Sequence, residues 1–146
     1  MKALAENRRA RFDYDITETY EAGIQLAGHE VKSVKRGSMG LNGSYAVLGD
    51  GQLWLLNAQI PPYQPNNAPK DYEAAHTRRL LLHKKEIGEL AGLLRQKMYT
   101  LLPLRVYLKG SLIKVELGLG RSRKQHDKRD VIKKRETERE LRRGGK

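Results

Sequence analysis

The chain has 146 residues, which is enough for one domain with a hydrophobic core and too few for two comfortable ones. It carries a formal net charge of +12 and no cysteine, so disulfides and thiolate zinc sites are excluded. The N-terminal segment "MKALAENRRARFDYD" lacks the apolar run of a signal peptide, and no stretch of about 18 apolar residues occurs, which predicts a soluble, cytoplasmic protein.

The positive charge is concentrated at the C-terminal end of the chain. Residues 121–146 contain 12 Lys or Arg and 5 Asp or Glu, a net charge of +7. Burial of the few apolar side chains in this tail cannot offset the cost of ordering its backbone, which is about 1–2 kcal/mol per residue. The tail is therefore predicted to be disordered in isolation. One interpretation is a solvated tail that maintains solubility. The other is a polyanion-binding tail, because each neutralised phosphate releases counterions. An anionic membrane is disfavoured, because no amphipathic aromatic face accompanies the charge.

Residues 1–120 are predicted to form the folded body, and the first elements are a helix and a strand. In "ETYEAGIQLAG", Tyr20, Ile24 and Ala27 recur at helical spacing, with Thr17 as N-cap and Gly28 as the stop. The following "HEVKSVKRG" is rich in β-formers and predicts a strand.

The middle of the body predicts a hairpin followed by a long loop. "SYAVLGDGQLWLLNAQI" contains the two-residue turn signal Asp50-Gly51 between two apolar runs, which is typical of a β-hairpin. "PPYQPNNAPKDYEA" holds four of the five prolines and predicts a polar surface loop.

The next segment, "HTRRLLLHKKEIGELAGLLRQKM", begins with an apolar run and continues as a helix. The run is Leu80 to Leu82, and Ile87, Leu90 and Leu94 then recur at helical spacing, with Met98 four residues further on.

Two strands are predicted to close the body, joined by a turn at Gly110-Ser111. In "LRVYLKG" and "LIKVELGLG" apolar residues alternate with polar or small ones, which gives each strand one buried and one solvated face. The predicted buried set is Leu104, Val106, Leu108, Ile113, Val115, Leu117 and Leu119.

About six strands with two intervening helices predict a mainly β fold with helices (α+β). An OB-like antiparallel β-barrel is the economical form, because closing the sheet removes most exposed edges. An α+β sandwich is the alternative.

No constellation of residues predicts catalysis, a metal site or a cofactor. None of the four histidines pairs with another at metal-ligand spacing, and "GSMGLNG" is not followed by the Lys-Ser or Lys-Thr of a phosphate-binding loop. No serine lies in a nucleophile elbow. An RNA hydrolase or modifying enzyme stays open only as an alternative without a visible site.

Basic residues interleaved with aromatic ones are the positive signal. "NRRARFDY" places Arg8, Arg9 and Arg11 beside Phe12 and Tyr14, and "RVYLK" places a tyrosine between an arginine and a lysine. Aromatic rings stack on unpaired bases while guanidinium groups hold phosphates, so this pattern is typical of OB-fold RNA binders. The alternative is that Phe12 belongs to the core and the arginines to solvent.

Four segments resemble one family in order and spacing. "NRRARFDY", "YEAGIQLAGHEVKSVKRG", "RRLLLHKKEI" and "RKQHDKRD" are similar to motifs of the SsrA-binding protein family, also called small protein B, and the resemblance spans Asn7 to about Arg135. It implies an OB-like barrel without enzymatic activity that binds transfer-messenger RNA (SsrA RNA) and delivers it to stalled ribosomes for trans-translation. The body would stand where a tRNA anticodon arm would be. The tail would enter the empty messenger channel and decoding centre as a helix.

The resemblance also implies roles for particular residues. In the body, the resemblance implies that the RNA-binding residues are Asn7, Arg8, Arg9, Arg11, Glu21, Gly23, Lys32 and Leu81. In the tail, it implies that the residues in contact with the ribosome are Lys124, His126, Asp127, Lys128 and Arg129.

Two alternatives stay open at this point. Glu21 either orients an RNA-binding group or only answers a helix dipole. The chain as a whole is either specific for transfer-messenger RNA or a general tRNA- and rRNA-binding accessory protein of the ribosome.

Overall fold

The computed structural model describes residues 2–123, which form seven strands and three α-helices. In chain order these are β1 (Ala3–Glu6), α1 (Ala10–Asp13), β2 (Tyr14–Ile24), α2 (Gly28–Lys35), β3 (Tyr45–Gly49), β4 (Gln52–Leu56), β5 (Arg78–Leu81), α3 (Lys84–Leu94), β6 (Tyr99–Lys109) and β7 (Leu112–Ser122). No helix in this part of the chain is long and apolar enough to cross a membrane.

Six strands form a closed antiparallel ring. Their order is β6-β3-β4-β5-β2-β7, and β7 pairs back onto β6, while β1 joins β6 beside the ring. The longest ladders join β7 to β2 and to β6. The predicted OB-like barrel is therefore confirmed, with β1 as an additional strand.

The core lies inside the ring and is built from alternate residues of its strands. Ala22, Val106 and Val115 are register partners on neighbouring strands and are all fully buried. Leucines from β4, β5 and β6 fill the remaining space. Burying one such leucine stabilises the fold by about 1.5–3 kcal/mol, so this interior is the main source of stability.

The two strands that flank β7, namely β2 and β6, each contain a β-bulge that reverses which side chains face the core. The register shifts leave an extra residue in β2 at Thr17 and in β6 at Leu104. Leu104 was predicted on the core face with Val106, and this is wrong. It packs with Ala10 and Leu102 outside the barrel, beneath α1. The rest of the predicted buried set is correctly placed, although Leu108 and Ile113 are only half-buried.

The helix predicted for "ETYEAGIQLAG" is wrong, because this segment lies in β2. Tyr20 and Ala22 are buried while Thr19 and Glu21 are exposed, which is a period of two. The small side chain of Ala22 hides this alternation in the sequence, whereas the larger apolar residues happen to recur every fourth position.

The strand predicted for "HEVKSVKRG" is also wrong, because the segment forms α2, which begins at Gly28 instead of ending there. Glu30, Ser33 and Val34 are buried at helical spacing. The Glu30 carboxylate accepts a hydrogen bond from the Ala27 N–H at 3.0 Å and so caps the helix. The buried side of this helix is mostly polar, so an apolar period could not reveal it.

The remaining predicted elements are confirmed. Asp50 and Gly51 have φ angles of 54° and 73°, as a type I′ hairpin turn between β3 and β4 requires. The proline-rich segment is a loop with one 3-10 turn, and β5 and α3 follow it. Met98, which continued the predicted helical pattern, lies beyond the end of α3 at Leu94 and is exposed.

A buried ion pair fastens the long loop and α2 to β5. Arg78 Nη2 donates to Glu30 Oε2 at 2.7 Å, and both side chains are nearly inaccessible to solvent. His76 Nε2 lies 2.8 Å from the same carboxylate oxygen, and the Tyr72 hydroxyl lies 3.1 Å from it. The other Arg78 donors reach the backbone carbonyl oxygens of Ala58, Ala74 and His76.

These contacts set the ionisation of Glu30. Burial by itself would raise the pKa of Glu30, but the Ala27 N–H, Arg78 and His76 together lower it to about 2, from an ordinary value of 4.5. A carboxyl with a depressed pKa contributes its stability in full above its unfolded pKa. The Glu30 contribution is therefore complete above about pH 4.5 and is lost as the pH falls toward 2.

We expect Glu30→Gln to lower the free energy of unfolding by about 3–5 kcal/mol at neutral pH, because it leaves Arg78 buried without a counter-charge. Urea denaturation followed by circular dichroism measures this. The matched control is Glu116→Gln, which removes a partly exposed partner 3.5 Å from Arg105. It should change stability by at most about 1 kcal/mol. Equal effects of the two substitutions would contradict the importance of the buried pair.

Candidate nucleic-acid interface

The outward side of β2, β6 and β7 carries a row of charged side chains and one tyrosine, Tyr107, which is only 3% exposed. Arg105 pairs in register with Glu116, and Glu116 with Glu21 on the third strand. Tyr107 pairs in the same way with Lys114. Side chains of register partners lie on one side of a sheet. We call this surface the outer face, and its residues are Glu21, Arg105, Tyr107, Lys109, Lys114 and Glu116.

Glu21 is held in place on the outer face by two donors. The Tyr107 hydroxyl donates a short hydrogen bond to its carboxylate, and Lys109 Nζ donates to it at 3.0 Å. These two bonds hold the pKa of Glu21 below its ordinary value. Burial and the same hydrogen bond raise the pKa of Tyr107 to about 12. Because Glu21 lies on a strand, the helix-dipole interpretation is wrong.

The two acids of the outer face are both paired with cations. Glu116 lies 3.5 Å from Arg105, and the Arg105 guanidinium stacks over Tyr107 at 4.7 Å from the ring centroid. Their negative charge is thereby locally compensated, and the paired Arg105 and Lys109 groups are fixed in direction. The surface can therefore present oriented donors to a polyanion without a net acidic barrier.

Asn7 fastens the N-terminal arginine motif to one end of the outer face. Its backbone N–H donates to Leu104 O at 2.8 Å, and its side-chain amide donates to Pro103 O at 3.0 Å. Arg8 and Arg11 then line a groove together with Arg105. Two motifs that are distant in sequence, "NRRAR" and "RVYLK", are thus brought to one surface.

Two glycines of β7 form the floor beneath α1 and the start of β2. A Cβ atom on Gly120 would lie 2.9 Å from Tyr14 Cβ and 3.1 Å from Ile16 Cδ1. A Cβ atom on Gly118 would lie 3.0 Å from a methyl group of Leu104. Glycine at these positions lets the arginine-bearing segment approach the sheet closely.

The other end of the outer face opens into a groove of about 550 Å³ lined by Glu21, Gly23 and Leu81. Gly23 and Leu81 are register partners on β2 and β5. A Cβ atom on Gly23 would be 3.4 Å from Leu81 Cβ, and Leu81 itself is 46% exposed. The groove therefore combines an accessible apolar side chain with the fixed carboxylate of Glu21.

Two predicted residues point elsewhere. Arg9 lies 3.3 Å from Asp13 and 4.8 Å from the centroid of the Phe12 ring, and it lines a different groove with Asn7 and Tyr45. Lys32 projects from α2 into a separate groove beside Tyr63. The structure therefore gathers six of the eight predicted body residues around the outer face: Asn7, Arg8, Arg11, Glu21, Gly23 and Leu81.

The predicted tail residues, Lys124, His126, Asp127, Lys128 and Arg129, lie outside the described residues. The last residue that the structure describes is Arg123, whose N–H donates to Asp13 O at 2.9 Å, at the end of α1.

One site residue that the sequence did not single out is Lys114, which faces the outer surface between Tyr107 and Gly23. The strand alternation in "LIKVELGLG" was the signal that would have found it. Within residues 2–123, no group of three or more acidic or histidine side chains is arranged to hold a metal ion.

A small closed barrel with a groove lined by Arg8, Arg11 and Arg105 beside its outer face is the architecture of an RNA-binding OB-like domain. The family model described as SmpB protein matches residues 4–146. The chain therefore belongs to the SmpB family.

Individual relatives agree with this assignment. The SsrA-binding protein of Synechocystis sp. is 47% identical over 146 residues, which cover all of this chain and 95% of the relative. The SsrA-binding protein of Roseiflexus sp. is 47% identical over 142 residues, 97% of this chain and 90% of the relative. A solved structure described as "tmRNA-SmpB: a journey to the center of the bacterial ribosome" has a TM-score of 0.69 at 44% identity. It covers 87% of this chain and 92% of its own.

We expect Gly120→Ala to lower the free energy of unfolding by about 1–3 kcal/mol, because the new methyl group pushes against Tyr14 and displaces α1. RNA affinity should fall with it, since Arg8 and Arg11 move together with α1. The matched control is Gly92→Ala, on α3, where a Cβ atom meets no atom within 4 Å. It should stabilise the protein by up to about 1 kcal/mol. Urea denaturation that finds Gly120→Ala as stable as wild type would contradict the close-approach argument.

Proposed function

We propose that this protein binds transfer-messenger RNA and delivers it to stalled ribosomes in trans-translation. The observation that carries the proposal is the outer face, around which the segments that resemble motifs of SsrA-binding proteins lie together. Support comes from relatives named SsrA-binding proteins and from a similar chain in a structure of tmRNA-SmpB and the bacterial ribosome.

In this proposal the body binds the tRNA-like part of the RNA and occupies the position that an anticodon arm has in a tRNA. Arg8, Arg11 and Lys114 reach phosphates, while Leu81 and the groove beside Gly23 accept a base edge or ribose. Glu21 positions the Lys109 ammonium and the Tyr107 ring, so that a folded backbone is read by its shape.

The basic tail acts later, in the empty messenger channel and decoding centre. Arg123, the last residue that the structure describes, donates its N–H to Asp13 O at the end of α1, near the basic N-terminal motif. Asp127 is suited to cap a helix, and the pairs Asp130–Lys134 and Glu138–Arg142 each add about 0.2–0.5 kcal/mol to it. That is too little to offset helix nucleation alone, so an RNA-lined channel supplies the remainder.

The protein acts in the cytoplasm, where its RNA partners are, and it catalyses no reaction. Specific retention and positioning of RNA is sufficient for the proposed role. Turnover of any RNA by the purified protein would overturn the non-enzymatic part of the proposal.

We expect Glu21→Ala to weaken binding to transfer-messenger RNA by about tenfold, because Tyr107 and Lys109 lose the group that orients them. Thermal unfolding should keep its cooperativity. The measurement is a gel shift with labelled transfer-messenger RNA at fixed salt and with unlabelled tRNA as competitor.

Glu18→Ala is the matched control for that experiment. Like Glu21→Ala, it removes one carboxylate of β2 that accepts a hydrogen bond from a tyrosine. The Tyr20 hydroxyl donates to Glu18 Oε2 at 2.8 Å. Affinity that is unchanged or tighter in both variants would count against the positioning role. Equal affinity of the wild-type protein for tRNA and transfer-messenger RNA would favour the general accessory protein instead.

We expect a chain ending at Arg123 to keep its fold and most of its affinity for free transfer-messenger RNA, yet to lose tagging of stalled chains. The cut is placed there because Arg121 and Ser122 still pair in β7. In the full chain, His126→Ala should impair tagging while leaving RNA affinity unchanged, since an imidazole ring can stack on an exposed base. A large loss of RNA affinity on truncation, or full tagging by His126→Ala, would refute the proposal that the body binds the free RNA and the tail acts on the ribosome.

A further inference from the structure

The loop between α2 and β3 contains the one asparagine of the chain that is followed by glycine. Asn42 and Gly43 are both exposed, while the flanking Leu41 and Ser44 are buried. Gly43 has a φ angle of 76°, and the Ser44 N–H donates to Leu41 O at 3.1 Å, as in a type II turn. The turn therefore presents an asparagine side chain and the next peptide nitrogen to water.

The fold does not engage either of these two groups. In the part of the chain that the structure describes, the Asn42 side chain and the Gly43 N–H make no hydrogen bond. A Cβ atom on Gly43 would meet no atom of the described residues within 4 Å, and glycine has no side chain to shield its own nitrogen. These are the conditions under which a peptide nitrogen attacks the side-chain carbonyl carbon of the asparagine before it.

The other asparagines lack this combination. Asn7 donates its side-chain amide to Pro103 O and precedes an arginine. Asn57 is exposed, but it precedes Ala58, which is buried and carries a Cβ atom beside the peptide nitrogen. The two asparagines of the proline-rich loop also precede residues that carry a Cβ atom. Among the asparagines of the chain, Asn42 is therefore the most reactive.

We propose that Asn42 is a site of spontaneous deamidation, for which water is the only co-reactant. The Gly43 nitrogen loses its proton and forms a bond to Asn42 Cγ, and the side-chain nitrogen leaves as ammonia. Water then opens the resulting cyclic imide at either carbonyl carbon and produces aspartate or isoaspartate. Nothing is oxidised or reduced. The net change replaces one amide nitrogen by oxygen and adds one negative charge.

The turn controls the rate of this reaction. In a type II turn the ψ angle of Asn42 is about +120°, which does not direct the Gly43 nitrogen toward Asn42 Cγ, so the turn must open first. Two hydrogen bonds to Leu41 O oppose opening, one from the Ser44 N–H and one from Ser44 Oγ at 2.6 Å. Conversion is therefore slower in the folded protein than in the unfolded chain, and it becomes faster when the Ser44 hydroxyl is removed.

The product places an acid close to the basic N-terminal motif. Gly43 and Ser44 line a groove of about 340 Å³ together with Arg9 and Asp13, and Arg9 already lies 3.3 Å from Asp13. A second carboxylate, at position 42, lowers the positive potential around Arg9. Deamidation therefore weakens the attraction of this surface for RNA, a consequence that rests on the proposed function.

The test follows deamidation of the full-length chain by mass spectrometry during warm incubation in mildly alkaline buffer. Wild type should acquire the mass of an amide-to-acid exchange at position 42 before it does so at Asn57, and the urea-unfolded chain should convert faster. Ser44→Ala should accelerate conversion about three- to tenfold, because one hydrogen bond that holds the turn is lost. Ser38→Ala, at an exposed serine of the same loop, is the matched control and should convert at the wild-type rate.

A gel shift with transfer-messenger RNA measures the consequence for binding. Asn42→Asp, which reproduces the aspartate product, should bind about two- to threefold less tightly at low salt, whereas Asn42→Gln should bind like wild type. An unchanged affinity of Asn42→Asp would overturn the stated effect on RNA binding.

Absence of the mass change at position 42 in the folded wild-type protein would overturn the deamidation proposal. Equal rates for Ser44→Ala and Ser38→Ala would overturn the control of the reaction by the turn. Failure of the freshly prepared wild-type protein to bind transfer-messenger RNA would instead count against the proposed function, because the mass measurement does not involve RNA.

Discussion

The ion pair between Arg78 and Glu30 is the interaction on which the arrangement of the barrel and its additions depends. It joins β5 to α2, and through Tyr72 and His76 it fixes the long loop between β4 and β5. Charges this deeply buried are tolerated only when their hydrogen-bonding groups are satisfied, and Arg78 meets that condition with three backbone carbonyls. A proline-rich loop without an apolar core of its own thereby becomes a fixed part of the surface.

The same pair explains why the sequence predicts some elements and not others. The hairpin at Asp50-Gly51, α3, and the alternation in β6 and β7 follow from local signals, and the structure agrees with them. The segment from Thr17 to Arg36 does not, because its strand buries a small alanine and its helix buries a glutamate. What fixes Glu30 is Arg78, 48 residues away in sequence. A window of local periodicity contains no information about such a partner.

The candidate interface was predictable as a set of residues but not as a surface. The motifs indicated Asn7, Arg8, Glu21 and Leu81, yet nothing in their spacing shows that β2 and β6 lie on either side of β7. The bulge at Leu104 adds a second obstacle, because it turns Leu102 and Arg105 to the same side of the sheet. Because of the bulge, the same side of β6 carries the apolar side chains that pack against α1 and, beside them, the charged side chains of the outer face. A strict alternation would have provided only one of these.

The net positive charge is divided unequally between the body and the tail. Residues 1–120 carry a net charge of only +5, and on the outer face both acids are paired with cations. Such a surface gains less from nonspecific phosphate attraction than the tail, with +7 over 26 residues, and depends more on the direction of its donors. A carboxylate on the proposed RNA-binding surface is then consistent with the proposed function. Glu21 reduces the attraction for phosphate and fixes Tyr107 and Lys109. In the proposed function, recognition of a folded RNA therefore depends on geometry in the body, and long-range attraction depends on the charge of the tail.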